Sequence, residues 1–381
     1  MGRLSGALAT VSAIELGAAA IAAALQRAGV APGNVDHVVI GQVLQAGQGQ
    51  NPARQAAVRA GIPMTVPATT VNRVCLSGLD AVRLAGLMIT SGEADVVVAG
   101  GMESMTAAPY LLGSARTGYH FGGGELVDSM VSDGLTCAFE HVAMGEATER
   151  YAAEAGIARG SQDAFAVLSH HRAAAAQREG RLGAEIVEVK VEQRRGSPIG
   201  VCEDEGVRPG STVEALAKLR PAFAEAGTIT AGNASPVSDG AAALVVASRE
   251  FSYAHGLEPL AEIVGSGQVA GPGTSLLHQP SAAIRESLRR SKMALGELDL
   301  IEVNEAFAAV VLASLQDLGL PQDIVNVNGG AIALGHPLGM SGARLVLTLA
   351  YELGRRGGGT GAAALCGGGG QGEALLLRVA R

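Results

Sequence analysis

Tryptophan is absent from this chain, and aromatic residues make up only 3% of its 381 positions. A core held by large rings is therefore excluded. Ala, Val, Leu and Ile must build it, and 54 glycines allow the backbones between them to approach closely. Basic charge is also short: 28 Lys and Arg stand against 36 Asp and Glu, a formal charge of −8. No Lys/Arg cluster with interleaved aromatics occurs, so nucleic acid is not an expected partner. The four cysteines, Cys75, Cys137, Cys202 and Cys366, form no Cys-x-x-Cys or His-rich spacing. That pattern predicts no metal site and no disulfide framework, and fits a reducing, cytoplasmic compartment. Long apolar runs are missing too. The small-residue stretch after Arg3 is interrupted at Glu15, against a signal peptide, and no run reaches bilayer-spanning length, so no membrane partner is expected.

What is present is a hydrophobic content of 48%, enough for a large core in two or three domains. Ile14, Ala18, Ile21 and Leu25 share a helical face that ends near Gly29, before a strand at Val38 to Ile40. Thr69 to Val74 reads as a strand, Gly78 to Thr90 as a helix and Asp95 to Ala99 as a strand ending in Gly100-Gly101. The same order returns later: a helix around Ile284 and Leu288, then a strand at Leu300 to Val303. After these come a strand at Ile324 to Asn328, a helix at Ser341 to Arg355 and a strand at Ala362 to Cys366 ending in Gly367-Gly368. Strands alternating with helices predict an α/β fold of parallel sheets covered on both faces, here in two duplicated halves. The Gly-rich, charged stretch from about 108 to 238, with a strand predicted at Ile186 to Val191, reads as an inserted loop domain over the ligand site. The expected division is 1–107, completed by about 239–260, for the first half, 108–238 for the loop domain and 261–381 for the second half.

Cys75 stands where a strand ends and a helix begins, a place where the helix dipole and free N–H groups favour a thiolate. The plain alternative is a buried small hydrophobe. Gly335-His336-Pro337-Leu338-Gly339 occupies the equivalent place in the second half, so pseudo-twofold packing would bring His336 to Cys75. Imidazole beside a thiol is the usual means of generating thiolate, and the small neighbours of His336 are expected to leave room for a ligand. Cys366 opens Gly367-Gly368-Gly369-Gly370-Gln371-Gly372, where side-chain-free backbone can offer N–H groups to an oxyanion. The same run spells G-x-G-x-x-G, but too few residues remain before Arg381 for a dinucleotide-binding helix. Asn304 follows the Leu300 to Val303 strand, placed either to present its amide to a ligand or to cap the next helix.

Together, Asn72-Arg73-Val74-Cys75-Leu76-Ser77-Gly78, Gly100-Gly101-Met102-Glu103-Ser104-Met105, Asn304-Glu305-Ala306-Phe307, Gly335-His336-Pro337 and Cys366 to Gly372 closely resemble the thiolase family. Lys218 to Phe223 and Thr230 to Ser235 place the resemblance in its short-chain acetyl-CoA acetyltransferase branch. The resemblance implies a thiolase fold of two duplicated α/β/α halves in a five-layered arrangement, with a loop domain and a homotetramer. It implies coenzyme A thioesters as substrates, with no tightly bound cofactor, and condensation of two acetyl-CoA to acetoacetyl-CoA, with thiolysis as the reverse. By the same resemblance Cys75 is the acylated nucleophile, His336 its activating base, and Asn304 holds a water in the first oxyanion hole. Cys366 is the base that removes a methyl proton, and the N–H groups of Cys75 and Gly368 form the second hole. Arg208 would meet the adenosine phosphate, Phe223 the adenine or pantetheine, Ala231 and Ser235 the pantetheine, with Phe307 also at the CoA site.

The chain departs from the family pattern at Ala143, where a His often stands, and at Leu276-Leu277-His278-Gln279-Pro280, in place of Met-Gly-x-Gly-Pro. Both bear on acyl-chain selectivity. The family's first strand is missing ahead of Gly2-Arg3. Taken as an inner parallel strand, its loss predicts that a version extended upstream would be more stable. Two other readings are a degradative 3-ketoacyl-CoA thiolase of fatty-acid β-oxidation and an inactive acyl-CoA-binding protein of the same fold. The second is disfavoured by Cys75, His336 and Cys366 occurring together. A ketoacyl-carrier-protein synthase would carry His or Asn in place of Cys366.

Overall fold

In the computed structural model, which describes residues 1–381, Ser12 starts the first helix, Ala13–Ala28, through a capping box. Its Oγ accepts the Glu15 N–H at 3.2 Å while the Glu15 carboxylate takes the Ser12 N–H at 3.0 Å. Gly29 ends the helix at φ +66°, a conformation that costs glycine nothing. The chain then enters a sheet whose strands lie in the order Gly2–Arg3, Ser238–Ala247, Val96–Ser104, His37–Gly41 and Ala68–Val71. A second sheet has the order Glu262–Ala270, Gln371–Val379, Gly359–Gly367 and Leu300–Val303.

Neither sheet is wholly parallel, contrary to the expectation from alternating strands and helices. His37–Gly41 runs parallel to both its neighbours, but Ser238–Ala247 is antiparallel to Val96–Ser104. In the second sheet Leu300–Val303 and Gly359–Gly367 are parallel, and Gln371–Val379 turns back antiparallel through the Gly-rich run. Gly369 and Gly370, at φ +79° and +68°, make that turn, so the G-x-G-x-x-G spelling belongs to a hairpin. The strand expected at Ile324 to Asn328 is a short 3-10 turn, Gln322–Ile324, with a single bridge from Val325 to Ile301. The stub Gly2–Arg3 is an antiparallel edge strand with two paired residues, so the position expected to be inner and parallel is neither. Its counterpart in the second sheet, Glu262–Ala270, pairs at eight positions.

Two helices, Ser77–Thr90 and Ser341–Arg355, lie side by side between the sheets. Leu79, Val82, Leu345 and Leu349 join Val39, Val97, Ala363 and Leu375 in one buried cluster. Each fully buried Leu contributes about 1.5–3 kcal/mol. Helices Ala13–Ala28 and Pro52–Arg59 cover the outer face of the first sheet, and Gln279–Ser291 and Ala308–Leu318 that of the second. The result is five layers, helix on sheet on helix on sheet on helix.

The central helices meet backbone to backbone. A Cβ on Gly78 would lie 3.0 Å from the Ala343 N, and one on Gly342 would overlap the Leu79 N. Cys75, just before the first helix, and His336, just before the second, are thereby held at one level of the fold.

Between the two halves of the first sheet the chain forms a hairpin, Tyr110–Leu112 with Leu126–Asp128, and two helices, Met144–Glu154 and Arg159–Arg178. A second hairpin, Val189–Val191 with Ile199–Val201, follows, its first strand shorter than the predicted Ile186 to Val191.

Candidate active site

Cys75 sits on a tight turn between a strand and the Ser77–Thr90 helix. Val74 ahead of it has φ +54°, a region that disfavours a β-branched residue. Asn72 and Ser77 hold it there. Asn72 Oδ1 accepts the Val74 N–H at 2.9 Å, and Ser77 Oγ donates to the Val74 carbonyl at 2.6 Å while accepting the Arg73 N–H at 2.8 Å. Behind the turn, the Arg73 guanidinium lies 3.1 Å from Asp80 and 3.0 Å from the buried Glu373, fastening it to the second sheet.

The Cys75 thiol packs against Val43, Leu44, Met105 and Leu338. Burial pushes its pKa up to about 12, while its own N–H and that of Gly368 pull the other way. Desolvation thus opposes the thiolate that the helix terminus favours. Gly368 packs against the Cys75 turn, where a Cβ on it would lie 3.3 Å from the Val74 side chain.

His336 is buried, and that burial, helped by the Arg344 charge, holds its pKa down to about 3, so the imidazole is neutral. Its Nδ1 lies 2.6 Å from Ser341 Oγ, which donates its own proton to the Pro337 carbonyl at 2.9 Å. Ser341 must then accept from Nδ1–H, leaving the lone pair on Nε2. Nε2 takes the Asn304 Nδ2–H at 3.3 Å. Asn304 Oδ1 is buried without a partner in the fold. The glycine at 339 lets backbones touch. Cβ atoms on Gly41 and Gly78 would lie 2.7 and 2.8 Å from the Gly339 carbonyl oxygen, and one on Gly101 would overlap it.

Cys366 is buried among Leu276, Leu277, Ala306, Ala309 and Val310, with Met144 and Phe307 at the edge of the cluster. Burial, with Cys75 nearby, keeps its thiol strongly protonated. Of the two departures from the family pattern, the one at 276–280 reaches this cysteine, through Leu276 and Leu277.

Phe223 and Phe307 meet edge to face with ring centroids 6.2 Å apart. Ser235 donates its N–H and its hydroxyl to the Ala306 carbonyl, each at 3.0 Å, tying its loop to the Asn304-Glu305-Ala306-Phe307 segment. Ala231 is exposed on the same loop. Arg208 is exposed and makes no ion pair; its backbone N–H is held at 3.2 Å by His170 Nδ1. Hydrogen bonds do not connect Arg208 to the Phe223 and Phe307 pair. Sequence reasoning missed Ser341, Glu103, Ser77 and His170. For Ser341 and Ser77 a local signal was available, a hydroxyl at the start of a helix five residues after His336 and two after Cys75; Glu103 and His170 act through contacts distant in sequence.

Two family models match: the N-terminal domain of thiolase over residues 1–250 and its C-terminal domain over residues 257–379. A probable acetyl-CoA acetyltransferase of Mycobacterium leprae is 53% identical over 379 residues, covering 100% of this chain and 96% of the relative. The acetyl-CoA acetyltransferase of Chromobacterium violaceum is 50% identical over 377 residues, covering 99% and 96%. The crystal structure of the Bacillus anthracis acetyl-CoA acetyltransferase superposes with a TM-score of 0.96 at 40% identity, over 99% of this chain and 95% of that one. With matches running from one end of the chain to the other, this chain belongs to the thiolase family.

Proposed function

We propose that this chain is an acetyl-CoA C-acetyltransferase that condenses two acetyl-CoA to acetoacetyl-CoA and CoA, and runs the reverse thiolysis, through an acetyl-Cys75 intermediate. The observation that carries the reading is the constellation itself. Cys75 stands on a turn against Gly368, a neutral His336 presents Nε2 beside Asn304, and a second thiol, Cys366, stands near the first.

In the first half-reaction Cys75 gives its proton to His336 Nε2 and attacks the thioester carbonyl. His336 returns the proton to the departing CoA sulfur. Asn304, whose Oδ1 has no partner in the fold, orients a water against the thioester oxygen. In the second half-reaction Cys366 passes its proton to His336, free again after the first step, and as a thiolate takes a methyl proton from the next acetyl-CoA. The resulting enolate attacks the acetyl group on Cys75, whose sulfur leaves and regains its proton from His336. The N–H groups of Cys75 and Gly368 receive the oxyanion that forms. Met144, Leu276 and Leu277 around Cys366 favour a short acyl group over a long one.

The coenzyme would lie along Ala231, Ser235, Phe223 and Phe307, with the unpaired guanidinium of Arg208 toward a phosphate. Residues 108–238 act as the loop domain over that site, with 1–107 and about 239–260 as the first half and 261–381 as the second. A homotetramer fits the exposed apolar hairpin, where Tyr110, Leu112 and Leu126 are 64%, 46% and 62% accessible. A cytoplasmic location fits four free cysteines, and no helix is long and apolar enough to cross a membrane. Cleavage of acetoacetyl-CoA by CoA, compared with a longer 3-ketoacyl-CoA, tests the reading. Faster turnover of the longer substrate would point to a degradative 3-ketoacyl-CoA thiolase instead.

A further inference from the structure

Glu103 is fully buried at the end of the Val96–Ser104 strand, and no cationic side chain pairs with it. Its carboxylate accepts three backbone N–H groups, from Val43 at 3.0 Å, Leu44 at 3.0 Å and Gly339 at 2.9 Å. These donors come from both halves of the chain. Val43 and Leu44 follow the His37–Gly41 strand and form the wall against Cys75, together with Leu338. Gly339 lies three residues after His336, its carbonyl seated against Gly41, Gly78 and Gly101. One carboxylate therefore joins the wall of the thiol to the loop of the imidazole.

We propose that Glu103 is the positioning residue of this site: by gripping Val43, Leu44 and Gly339 together it sets the His336 loop against Cys75, and the grip is complete only while the carboxylate is ionised. The inference rests on the roles given above to Cys75 and His336. An ionised carboxylate accepts all three bonds with the strength that charge lends them, whereas the protonated acid holds the same N–H groups more weakly and carries an O–H that no N–H can accept. The titratable groups facing it are Asp239, on the neighbouring strand and itself occupied by the Thr106 N–H and hydroxyl at 2.9 and 2.6 Å, and Cys75 across the apolar cluster. Burial, with Asp239 adding to it, raises Glu103 to about 7, so the grip changes within the working range of a cytoplasmic enzyme.

Positioning and simple electrostatics make opposite predictions. The Glu103 charge raises the Cys75 pKa, so Glu103→Gln would speed thiol chemistry if charge were all that mattered. If Glu103 positions the loop, the same substitution slows it. The experiment measures Cys75 acetylation by acetyl-CoA and alkylation by iodoacetamide, using intact-protein mass spectrometry from pH 5.5 to 8.5, for wild type and Glu103→Gln.

The expected result is a wild-type acetylation rate that rises through pH about 7, and a variant about 10- to 100-fold slower that has lost that inflection. A variant alkylated and acetylated at or above the wild-type rate overturns the proposal. If wild type is alkylated at Cys75 but never acetylated, the acyltransfer reading fails while the alkylation comparison still decides the role of Glu103. Should Glu103→Gln not fold, amide exchange in the wild type replaces it. Protection of Gly339, Val43 and Leu44, corrected for intrinsic rates, should increase through pH about 7, and protection independent of pH overturns the proposal.

Discussion

As the proposed base, His336 needs the lone pair on Nε2, and Ser341 decides that through a hydroxyl committed to the Pro337 carbonyl. Ser341→Ala frees the ring to place its proton on either nitrogen. We expect Cys75 acetylation to slow by about 10- to 100-fold, less than the loss of a catalytic group, with a melting temperature near that of wild type. Unchanged acetylation would mean that another contact sets the tautomer.

Glu103 has a consequence for stability whose sign follows from linkage. Folded, it keeps its proton to about pH 7; unfolded, it releases it near the ordinary value of 4.5. The folded state therefore binds more protons between these values, and wild type loses stability as pH rises through that window. Melting curves at pH 5 and pH 8 should show the wild type falling relative to Glu103→Gln, and parallel behaviour would contradict the assignment.

At the scale of elements, the Gly339 loop is seated on glycines of the first half, and a single methyl group tests that joint. A Cβ at Gly101 would overlap the Gly339 carbonyl oxygen. Gly101→Ala should destabilise by about 1–3 kcal/mol, as overpacking does, and slow acetylation as the His336 loop moves away. A variant with wild-type melting and rate would show that the joint yields without cost. The edge of the first sheet gives another test. From Gly240 to Ala247 one side of the strand has no partner, and Ala20, Ala24 and Leu244 line the groove beside it. Fusing a designed strand of alternating apolar residues ahead of Met1 should raise the melting temperature, even though it removes the 2.5 Å pair between the Met1 ammonium and Asp204. No increase would mean that this edge is satisfied as it stands.

The same elements mark the limit of what sequence conveys. The helices Ser77–Thr90 and Ser341–Arg355 were legible because their apolar faces repeat at helical spacing, and Cys75 and His336 because they precede those helices at equivalent places. Strand direction was not legible. A strand buried on both faces, such as Gly359–Gly367, reads the same whether its neighbour is parallel or antiparallel, so the reversals at Ser238–Ala247 and Gln371–Val379 escaped. Nor was the desolvation of Cys75, because the packing of Val43, Leu44 and Leu338 against it depends on residues far away in the chain. The three bonds of Glu103 span up to 236 positions, a relation no local pattern contains.

At the scale of the molecule, the two halves have diverged in chemistry while keeping their architecture. On the proposed reading one supplies the thiol that carries the acyl group and the other supplies His336, Asn304 and Cys366. Central to this account is that the two cysteines act in different half-reactions, and the most direct test separates them. Acetyl-enzyme formation is followed by intact-protein mass spectrometry and condensation by CoA release, in Cys75→Ala and Cys366→Ala. The account predicts that Cys75→Ala is never acetylated. Cys366→Ala is predicted to become acetylated at Cys75 yet to condense about 10²- to 10⁴-fold more slowly, the usual loss when a positioned base is removed. Near-normal condensation in Cys366→Ala, or acetylation in Cys75→Ala, would contradict it.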